Sequence, residues 1–486
     1  MQIKEQTNLL DSLDKHAINS LGLTLSDVLE GRDDIVMAPV YKDIPDSIIL
    51  EKITKILDKV HLTDTLRKIE ETNRSKFGPR SIAIPWEERK ASLFSYFSHK
   101  DYDPGRFEEV SSGHMMPWSY SSVSDRLIKS SNSGLPYMKR KGLVLKDAIA
   151  NVDKQAGIYP CVLFTRTQEG KKTRNIWGFP ISDTIQEQSI YLPFQTFEKS
   201  LPYRSALHGA DAVDRAITYL IQNRTPSELV YCVDFSSYDA TVSPELAYKA
   251  FSYIASQFQS EFHEYIYGLF RRFVTIPILT PDGEVVGPHG VPSGSSFTNT
   301  IDSLVQYQIA GREHCEVQGD DGVYLVHKSE RDSFPRVFDE AGLKLNESKS
   351  FIFDDYECVY LQRYYSPAYP SRTDRCFGGV YSAFRAFNRI KYLESWTDFE
   401  RMGIEPSDFF SLRTIMILEN CKHHPAFEEL VKYAYSLDKT GLSFSKQGLT
   451  AYSRAMDSKA RAGLFNTKSF QKGIHGFETM KVIKEL

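Results

Sequence analysis

The stretch Glu316-Val-Gln-Gly-Asp-Asp-Gly-Val-Tyr-Leu-Val326 places two adjacent carboxylates, Asp320 and Asp321, between two short β-like runs. Paired carboxylates at the tip of a hairpin can hold divalent metal ions at a fixed place on a sheet. The same residues have a plainer use. Asp-Gly is a strong two-residue hairpin signal because both residues tolerate positive φ, and Asp321-Gly322 would then be the tip. The stretch alone fits either use, so the rest of the chain must supply a further carboxylate and a place for phosphates.

Three other segments do so. Val233-Asp234-Phe-Ser-Ser-Tyr-Asp239 follows the β-like run Leu229–Phe235, with Asp234 at the strand end and Asp239 past the next turn. Asp239 can equally be a helix N-cap. Gly290-Val-Pro-Ser293-Gly294-Ser-Ser-Phe-Thr298 leads from a flexible loop into a helix over Ser296–Gly311, where Thr298 and Asp302 share one face. Ser295 or Ser296 could simply cap that helix. In Thr165-Arg166-Thr-Gln-Glu-Gly-Lys171-Lys172-Thr-Arg174, alternation puts Lys172 and Arg174 on one side of an extended chain, suited to a triphosphate or to solvent. No Gly-x-x-x-x-Gly-Lys-Ser/Thr and no Gly-x-Gly-x-x-Gly after a strand occurs, which excludes a P-loop ATPase and a dinucleotide site.

Composition adds bounds. The 486 residues suffice for several subdomains, and no repeat or linker divides them. Net charge is −4, so the chain lacks the overall basic balance of a nucleic-acid binder, although a channel can hold basic residues locally. Most of the 27 Tyr and 30 Phe suit core packing rather than base stacking. Six scattered cysteines without a Cys-x-x-Cys pair argue for a reducing compartment, and Cys421-Lys-His423-His424 reads as a helix end. No apolar run approaches the ~20 residues of a membrane span, and no signal-peptide pattern opens the chain, so a soluble intracellular protein is expected.

Helical spacing is read over Leu9–Leu29, Asp46–Leu66, Pro244–Phe262, Glu330–Ala341 and the tail from Ala383. A strand is read at Gly342–Asn346 and a hairpin at Val359–Tyr365. The tail ends in basic residues: Lys446, Arg454, Lys459, Arg461, Lys468, Lys472, Lys481 and Lys484.

Taken in order, the basic clamp, the two-aspartate strand end, the Ser-Gly loop with its helix and the Gly-Asp-Asp hairpin resemble the motifs of viral RNA-dependent RNA polymerases. The likeness is to the picobirnavirus and partitivirus group of double-stranded RNA viruses, and it runs from about Ser131 to Tyr365. It implies an α+β right-hand fold of fingers, palm and thumb, with an antiparallel palm sheet backed by helices. Residues 1–110 would be an N-terminal helical extension bridging to the fingers. Residues 111–228 would be fingers, 229–243 palm, 244–286 a fingers insertion, 287–382 palm and 383–486 thumb and tail.

The resemblance also implies roles. Asp234 and Asp320, assisted by Asp321, would bind two Mg²⁺ ions (Mn²⁺ a possible substitute). Asp239, Ser293, Thr298 and Asp302 would sense the ribose, and Arg166, Lys172 and Arg174 would bind the triphosphate. Lys349 would be the general acid, with Lys344 as competitor. Ser133, Gly134, Pro136, Gly294 and Arg363 would touch template or primer. Many members of that family have Asn where this chain has Asp302, a group that donates as well as accepts.

The implied partners are RNA template and product, NTPs and a viral capsid protein, with no membrane. The implied location is the virion interior and the host cytoplasm. Two alternatives stand beside this reading: a DNA-making palm polymerase, for which the bulky Tyr238 would be the sugar gate, and a non-catalytic RNA-binding capsid-associated protein.

Overall fold

The computed structural model describes residues 1–4, 7–461 and 473–486. Its strands, in chain order, are β1 (Gln2–Lys4), β2 (Cys161–Thr167), β3 (Thr173–Gly178), β4 (Glu228–Val233), β5 (Ile278–Thr280) and β6 (Gly283–Val286). They continue with β7 (Cys315–Gln318), β8 (Asp321–His327), β9 (Phe351–Phe353), β10 (Cys358–Tyr360), β11 (Arg363–Tyr365) and β12 (Val380–Tyr381). Among the described residues they form three sheets, ordered β7-β8-β4-β9, β1-β6-β5-β2-β3 and β10-β11-β12.

The β7-β8-β4-β9 sheet is antiparallel throughout. Val230 and Cys232 on one face pack with Val323 and Leu325 against helix Ala210–Gln222, while Tyr231, Val233, Tyr324 and Val326 enter the opposite core. Period-two alternation, with both faces covered by helices, therefore builds a central sheet buried on two sides. Helices Pro244–Ser256 and Thr298–Ala310 and the aromatics Phe251, Phe270, Phe297 and Phe334 make up much of the second layer.

The N-terminal part is not only helical. β1 adds to β6 at the edge of the five-stranded sheet, while the hydrophobic faces of helices Asp46–Leu57 and Asp64–Ser75 pack with Phe384, Phe387, Leu412 and Leu430 near the other end of the chain. This segment thus ties the five-stranded sheet to the C-terminal helices.

Several expected elements are shorter than their apolar periodicity. Asp46–Leu66 is two helices, because the Thr63 hydroxyl accepts from the Leu66 amide (3.3 Å) and starts a new helix there. Leu9–Leu29 divides at Asp14, which caps helix Lys15–Glu30. The helix from Pro244 ends at Ser256, and Glu330–Ala341 is helical only over Phe334–Glu340. Gly342–Asn346 contributes a single bridge, Phe235 to Leu345, rather than a strand. The Val359–Tyr365 hairpin is present as β10–β11.

Glu70 explains how the ends of the chain are joined. It is 2% exposed and takes hydrogen bonds from the Ser382 hydroxyl (2.7 Å) and the amides of Ala383 (2.8 Å) and Phe384 (3.3 Å), capping helix Ala383–Lys391 from outside. His424 Nε2 lies 3.2 Å from the same carboxyl, and His423 Nε2 lies 3.2 Å from Asp214. Each histidine's Nδ1 accepts a backbone amide. The Cys421–His424 segment is thus a set of structural ties at a helix end.

Glu70→Ala strands three donors in a dry interface and should cost about 3 kcal/mol of stability. Urea unfolding measures it, and a midpoint equal to that of the wild type would show that the joint contributes nothing.

Candidate active site

The hairpin β7–β8 closes at Gln318 opposite Asp321, so its two-residue tip is Gly319-Asp320. The Asp321-Gly322 tip read from the sequence is corrected by two residues. Gly319 takes the left-handed conformation (φ 65°) that the turn requires, while Gly322 lies in the strand for a different reason. A Cβ there would sit 1.9 Å from Gln306 Oε1. Gln306 needs that space: it donates to Gly319 O (2.8 Å) and accepts from the Tyr324 hydroxyl (2.8 Å). Gly319 N–H in turn donates to Ser303 Oγ (2.8 Å). Both polar groups of the tip glycine are therefore held by helix Thr298–Ala310.

Behind them lies Arg204, 1% exposed. Its guanidinium donates to Val317 O (2.9 Å), Gln318 Oε1 (2.9 Å), Asn299 Oδ1 (2.9 Å) and Ser303 Oγ, and pairs with Glu198 at 2.9 Å. Arg204, Glu198, Ser303 and Gln306 were not found by sequence reasoning. Each is a lone polar residue without a local motif, and their mutual packing would have been their only signal.

Val233 of β4 faces Gly322, so one step on Asp234 and Asp321 stand at adjacent strand ends. The loop after helix Phe334–Glu340 folds onto Asp234. The Asn346 amide donates to Asp234 O (2.7 Å), Asp234 N–H donates to Ser350 Oγ (3.2 Å), and Lys349 Nζ is 3.7 Å from Asp234 Oδ2. This places Lys349 at the carboxylates. Lys344 is exposed and meets this segment through its backbone, accepting from the Ser236 amide.

Burial, then Asp320, pushes Asp234 up against the opposing charges of Lys349 and Lys172. Loss of solvent and the charges of Asp320 and Asp234 push Asp321 to about 8. Lys172 is pushed down by burial and by Arg174 and Lys349, with Asp234 and Asp320 opposing. Carboxylates and cations from four separate segments thus feel one another at one place.

Such a site suits hard divalent cations. Asp234 Oδ2 is buried without a hydrogen-bond partner, and the neighbouring carboxylates repel one another. Among the described residues no three His, Cys, Asp or Glu side chains already surround one point.

Asp239 lies within the short helix Tyr238–Thr241, and Ser237 rather than Asp239 occupies the N-cap. Burial and Asp320 push Asp239 to about 6, with Arg174 and a hydrogen bond from Asp302 opposing. Asp302, 4% exposed, is pushed well above the carboxylate range by burial and by Asp239. The two carboxyls act on each other through a shared hydrogen bond that pushes Asp302 up and Asp239 down, so Asp302 stands on its donor side. An amide at this position could also donate. Tyr238 is 3% exposed and its hydroxyl donates to Asp302 O (3.0 Å), so its bulk is spent in the core rather than as a sugar gate.

Ser293 Oγ donates to Asn175 O (3.1 Å), and Thr298 Oγ1 to Pro292 O (3.1 Å) and Ser295 O (3.0 Å). Neither Ser295 nor Ser296 is the N-cap of the helix; that place is Phe297. Gly294 lies against β3, where a Cβ would meet Trp177 O at 1.7 Å. On hairpin β2–β3, Arg166 faces Arg174 directly. Like charges opposite one another favour an anion between them. Arg166 also reaches Glu394 (3.5 Å), part of a cluster in which Arg80 pairs with Glu394 and Glu169 and Arg385 with Glu169.

Three residues expected at template or primer have internal partners. Ser133 is fully buried, donating to Gly134 O and accepting from Lys139 N–H. Gly134 presses on Phe179 O, where a Cβ would lie at 2.5 Å. Arg363 donates to Gly379 O, Asn420 O and Asn420 Oδ1. Pro136 and Gly294 keep surface exposure. In the basic tail Lys446, Arg454, Lys481 and Lys484 are exposed, Lys481 pairing with Glu478. Lys468 and Lys472 lie outside the described residues, as do the side chains of Lys459 and Arg461.

An antiparallel sheet with acidic strand ends, a Ser-Gly loop and a cationic hairpin facing them is the arrangement of a template-directed polymerase, and residues 94–375 match the family model "Viral RNA-dependent RNA polymerase". The chain belongs to that family and is an RNA-directed RNA polymerase of viral type. It is 30% identical over 464 residues to the "Potential RNA-dependent RNA polymerase" of a human picobirnavirus, covering 87% of this chain and 86% of that one. It is also 30% identical over 212 residues to the "RNA-directed RNA polymerase" of Cryptosporidium parvum virus 1, covering 38% and 39% of the two chains.

The crystal structure of a human picobirnavirus RNA-dependent RNA polymerase superposes with a TM-score of 0.80 at 24% identity, covering 97% of this chain and 99% of that one. Its insertion-loop deletion mutant gives 0.79 at 26% identity, with the same coverage. The fold is thus the α+β right hand of fingers, palm and thumb, and membership of this family sets aside the DNA-making and non-catalytic alternatives. Among the described residues no helix is long and apolar enough to cross a membrane.

Gly322→Ala should displace Gln306 from the tip and lower polymerase turnover about 100-fold, the cost of misplacing a reacting group by about an ångström. Gln306→Ala should remove most of that penalty, so the double variant should be no slower than Gln306→Ala alone. Single-turnover RNA synthesis checks this, and additive losses would show that the two residues act separately.

Proposed function

We propose that this polymerase replicates and transcribes a viral double-stranded RNA genome by nucleotidyl transfer at Asp234 and Asp320. What carries the reading is the meeting of Asp234, Asp320 and Asp321 with Lys172, Arg174 and Lys349 at one end of the central sheet. Asp234 and Asp320, with Asp321 beside them, would hold two Mg²⁺ ions, or Mn²⁺ in their place, which supply activation of an attacking 3′-hydroxyl and charge neutralisation at the transferring phosphoryl group.

The chain's own groups do the rest. Arg174 and Lys172, with Arg166 across the hairpin, hold the triphosphate and the leaving pyrophosphate. Lys349 stands where it can give the leaving group a proton. Asp239 accepts from the ribose 2′-hydroxyl, oriented by its hydrogen bond with Asp302, while Ser293 and Thr298 fix the loop beside it. Pro136 and Gly294 are the template contacts we retain, with Ser133, Gly134 and Arg363 shaping the backbone around them.

We assign residues 1–110 to a strap between fingers and thumb, 111–228 and 244–286 to fingers, 229–243 and 287–382 to palm and 383–486 to thumb. The exposed tail lysines suit the product backbone. The double-stranded genome implies work inside the particle beside capsid protein, and within the host cytoplasm. Co-sedimentation with assembled capsid tests the former, and a chain that never sediments with it would argue against residence there.

Asp320→Ala should abolish NTP incorporation on an RNA template, and robust activity in that variant would overturn the assignment of Asp320. Asp239→Ala should narrow the preference for NTPs over dNTPs by about tenfold, the worth of one charge-assisted hydrogen bond. A lower rate with the preference intact would make Asp239 structural.

The carboxylates also give a pH test. Asp321 holds its proton in the folded chain up to about 8, whereas the unfolded chain releases it near the ordinary 3.8. The folded state binds more protons, so this contribution to stability is full below the unfolded value and is lost as pH rises through the folded one. Mn²⁺ should therefore raise Tm more at about pH 8 than at about pH 5.5. Equal shifts would mean that no ion sits at Asp321.

A further inference from the structure

Helix Ile181–Glu198 runs through the interior of the molecule and carries three buried carboxyls, Asp183, Glu187 and Glu198, near one face. A buried carboxyl is expensive unless something pays in kind. Two of the three have guanidinium partners. Asp183 pairs with Arg272 (2.7 Å) and Glu198 with Arg204 (2.9 Å). Glu187 has no such ion pair in contact. Its bonds come from one short segment: Ser295 Oγ donates to Oε1 (2.6 Å) and Ser296 N–H to Oε2 (2.7 Å). Both acceptor oxygens are thus committed to the loop that presents Ser293.

That loop is fixed on its other side by β3, through Ser293 Oγ to Asn175 O and the close approach of Gly294 to Trp177 O. It is held between Glu187 and the strand that bears Arg174. Glu187 also lines a cavity of about 260 Å³ with Asp183, Gln186, Tyr265 and Arg272, so its carboxyl has room to leave the loop.

We propose that Glu187 is a positioning residue for ribose recognition, clamping the Ser293–Ser296 loop so that it meets the nucleotide in register with Asp239. The inference rests on the polymerase reading of that loop. Only the carboxylate can accept from both donors without turning a proton toward one of them. Burial pushes Glu187 to about 7, with the loop's donors opposing. The charged groups that face it are Asp183 on its own helix, Arg272 across the cavity and Lys141. The clamp therefore loosens as pH falls through about 7.

The test uses the full chain with Glu187→Gln, which keeps the side chain's size but offers an NH₂ to a donor, and Ser295→Ala, which removes one donor alone. In Glu187→Gln the KM for NTPs should rise about tenfold and the preference over dNTPs should narrow. The wild-type rise in KM at low pH should flatten. The double variant should be no worse than Glu187→Gln, and amide exchange over 292–298 should quicken in both single variants while other core amides stay protected.

Unchanged exchange in that loop, or unchanged KM and preference in a folded Glu187→Gln chain, overturns the clamp. Wild-type chain that fails to incorporate NTPs at all overturns the polymerase reading instead, and the exchange measurement still decides the clamp.

Discussion

Arg204 is the contact on which the catalytic end of the molecule depends. Sinking a guanidinium into the interior costs several kcal/mol, and acceptors around it must offset that cost. The two terminal nitrogens of Arg204 have five, and these come from three places: Glu198 on one helix, Asn299 and Ser303 on another, and Val317 and Gln318 on β7. Once these five are satisfied together, the positions of two helices and a strand are mutually fixed. The Gly319-Asp320 tip then has no freedom left, since its amide and carbonyl are taken by Ser303 and Gln306 of the same helix.

This bracing is needed because the site would otherwise push itself apart. Asp234, Asp239, Asp302 and Asp321 all have their carboxyls raised, chiefly by burial, with neighbouring carboxyls adding to the effect. Lys349, Lys172 and Arg174 offset part of this repulsion, and the scaffold imposes the rest of the geometry. Preorganisation of that sort is what lets charged groups act on a transition state without rearranging first. The hydrogen bond between Asp302 and Asp239 works the same way, adding a directional contact inside the acidic cluster.

The parts of this arrangement that were readable in the sequence are local ones. β-like runs sufficed to place Asp234 at a strand end and Asp320 in a hairpin turn, and a basic alternation sufficed for Lys172 and Arg174. The resemblance supplied their order and the right-hand fold. Arg204, Glu187 and Gln306 could not be read the same way, because a polar residue outside any local motif announces no partner. Two acceptors of Arg204 are 113 and 114 residues away in the chain, and the Ser295 hydroxyl is 108 residues from Glu187. Arg363 shows the converse. A basic residue in a hairpin does not say whether its acceptor is a phosphate or, as here, a carbonyl of its own chain. The break between Leu57 and Asp64 was hidden because apolar spacing continues across it, while the Thr63 hydroxyl's bond to the Leu66 amide marks where the second helix starts.

A net charge of −4 also proves a poor guide to an enclosed site. The cations that matter are arranged against local acids or against one another. Arg166 and Arg174 face each other across β2–β3, a placement that costs energy unless an anion lies between them. The same hairpin is anchored at its turn by Glu169, which takes Arg80 and Arg385, while Glu394 takes Arg80 and Arg166. Four charged residues outside the triphosphate clamp thus hold the hairpin to the N-terminal segment and the C-terminal helices. Balancing most of its charge internally lets the hairpin keep a small unbalanced excess at Lys172 and Arg174, where a triphosphate supplies the missing negative charge. Affinity for the nucleotide is then a property of this local imbalance, and the charge of the whole chain is free to serve other ends.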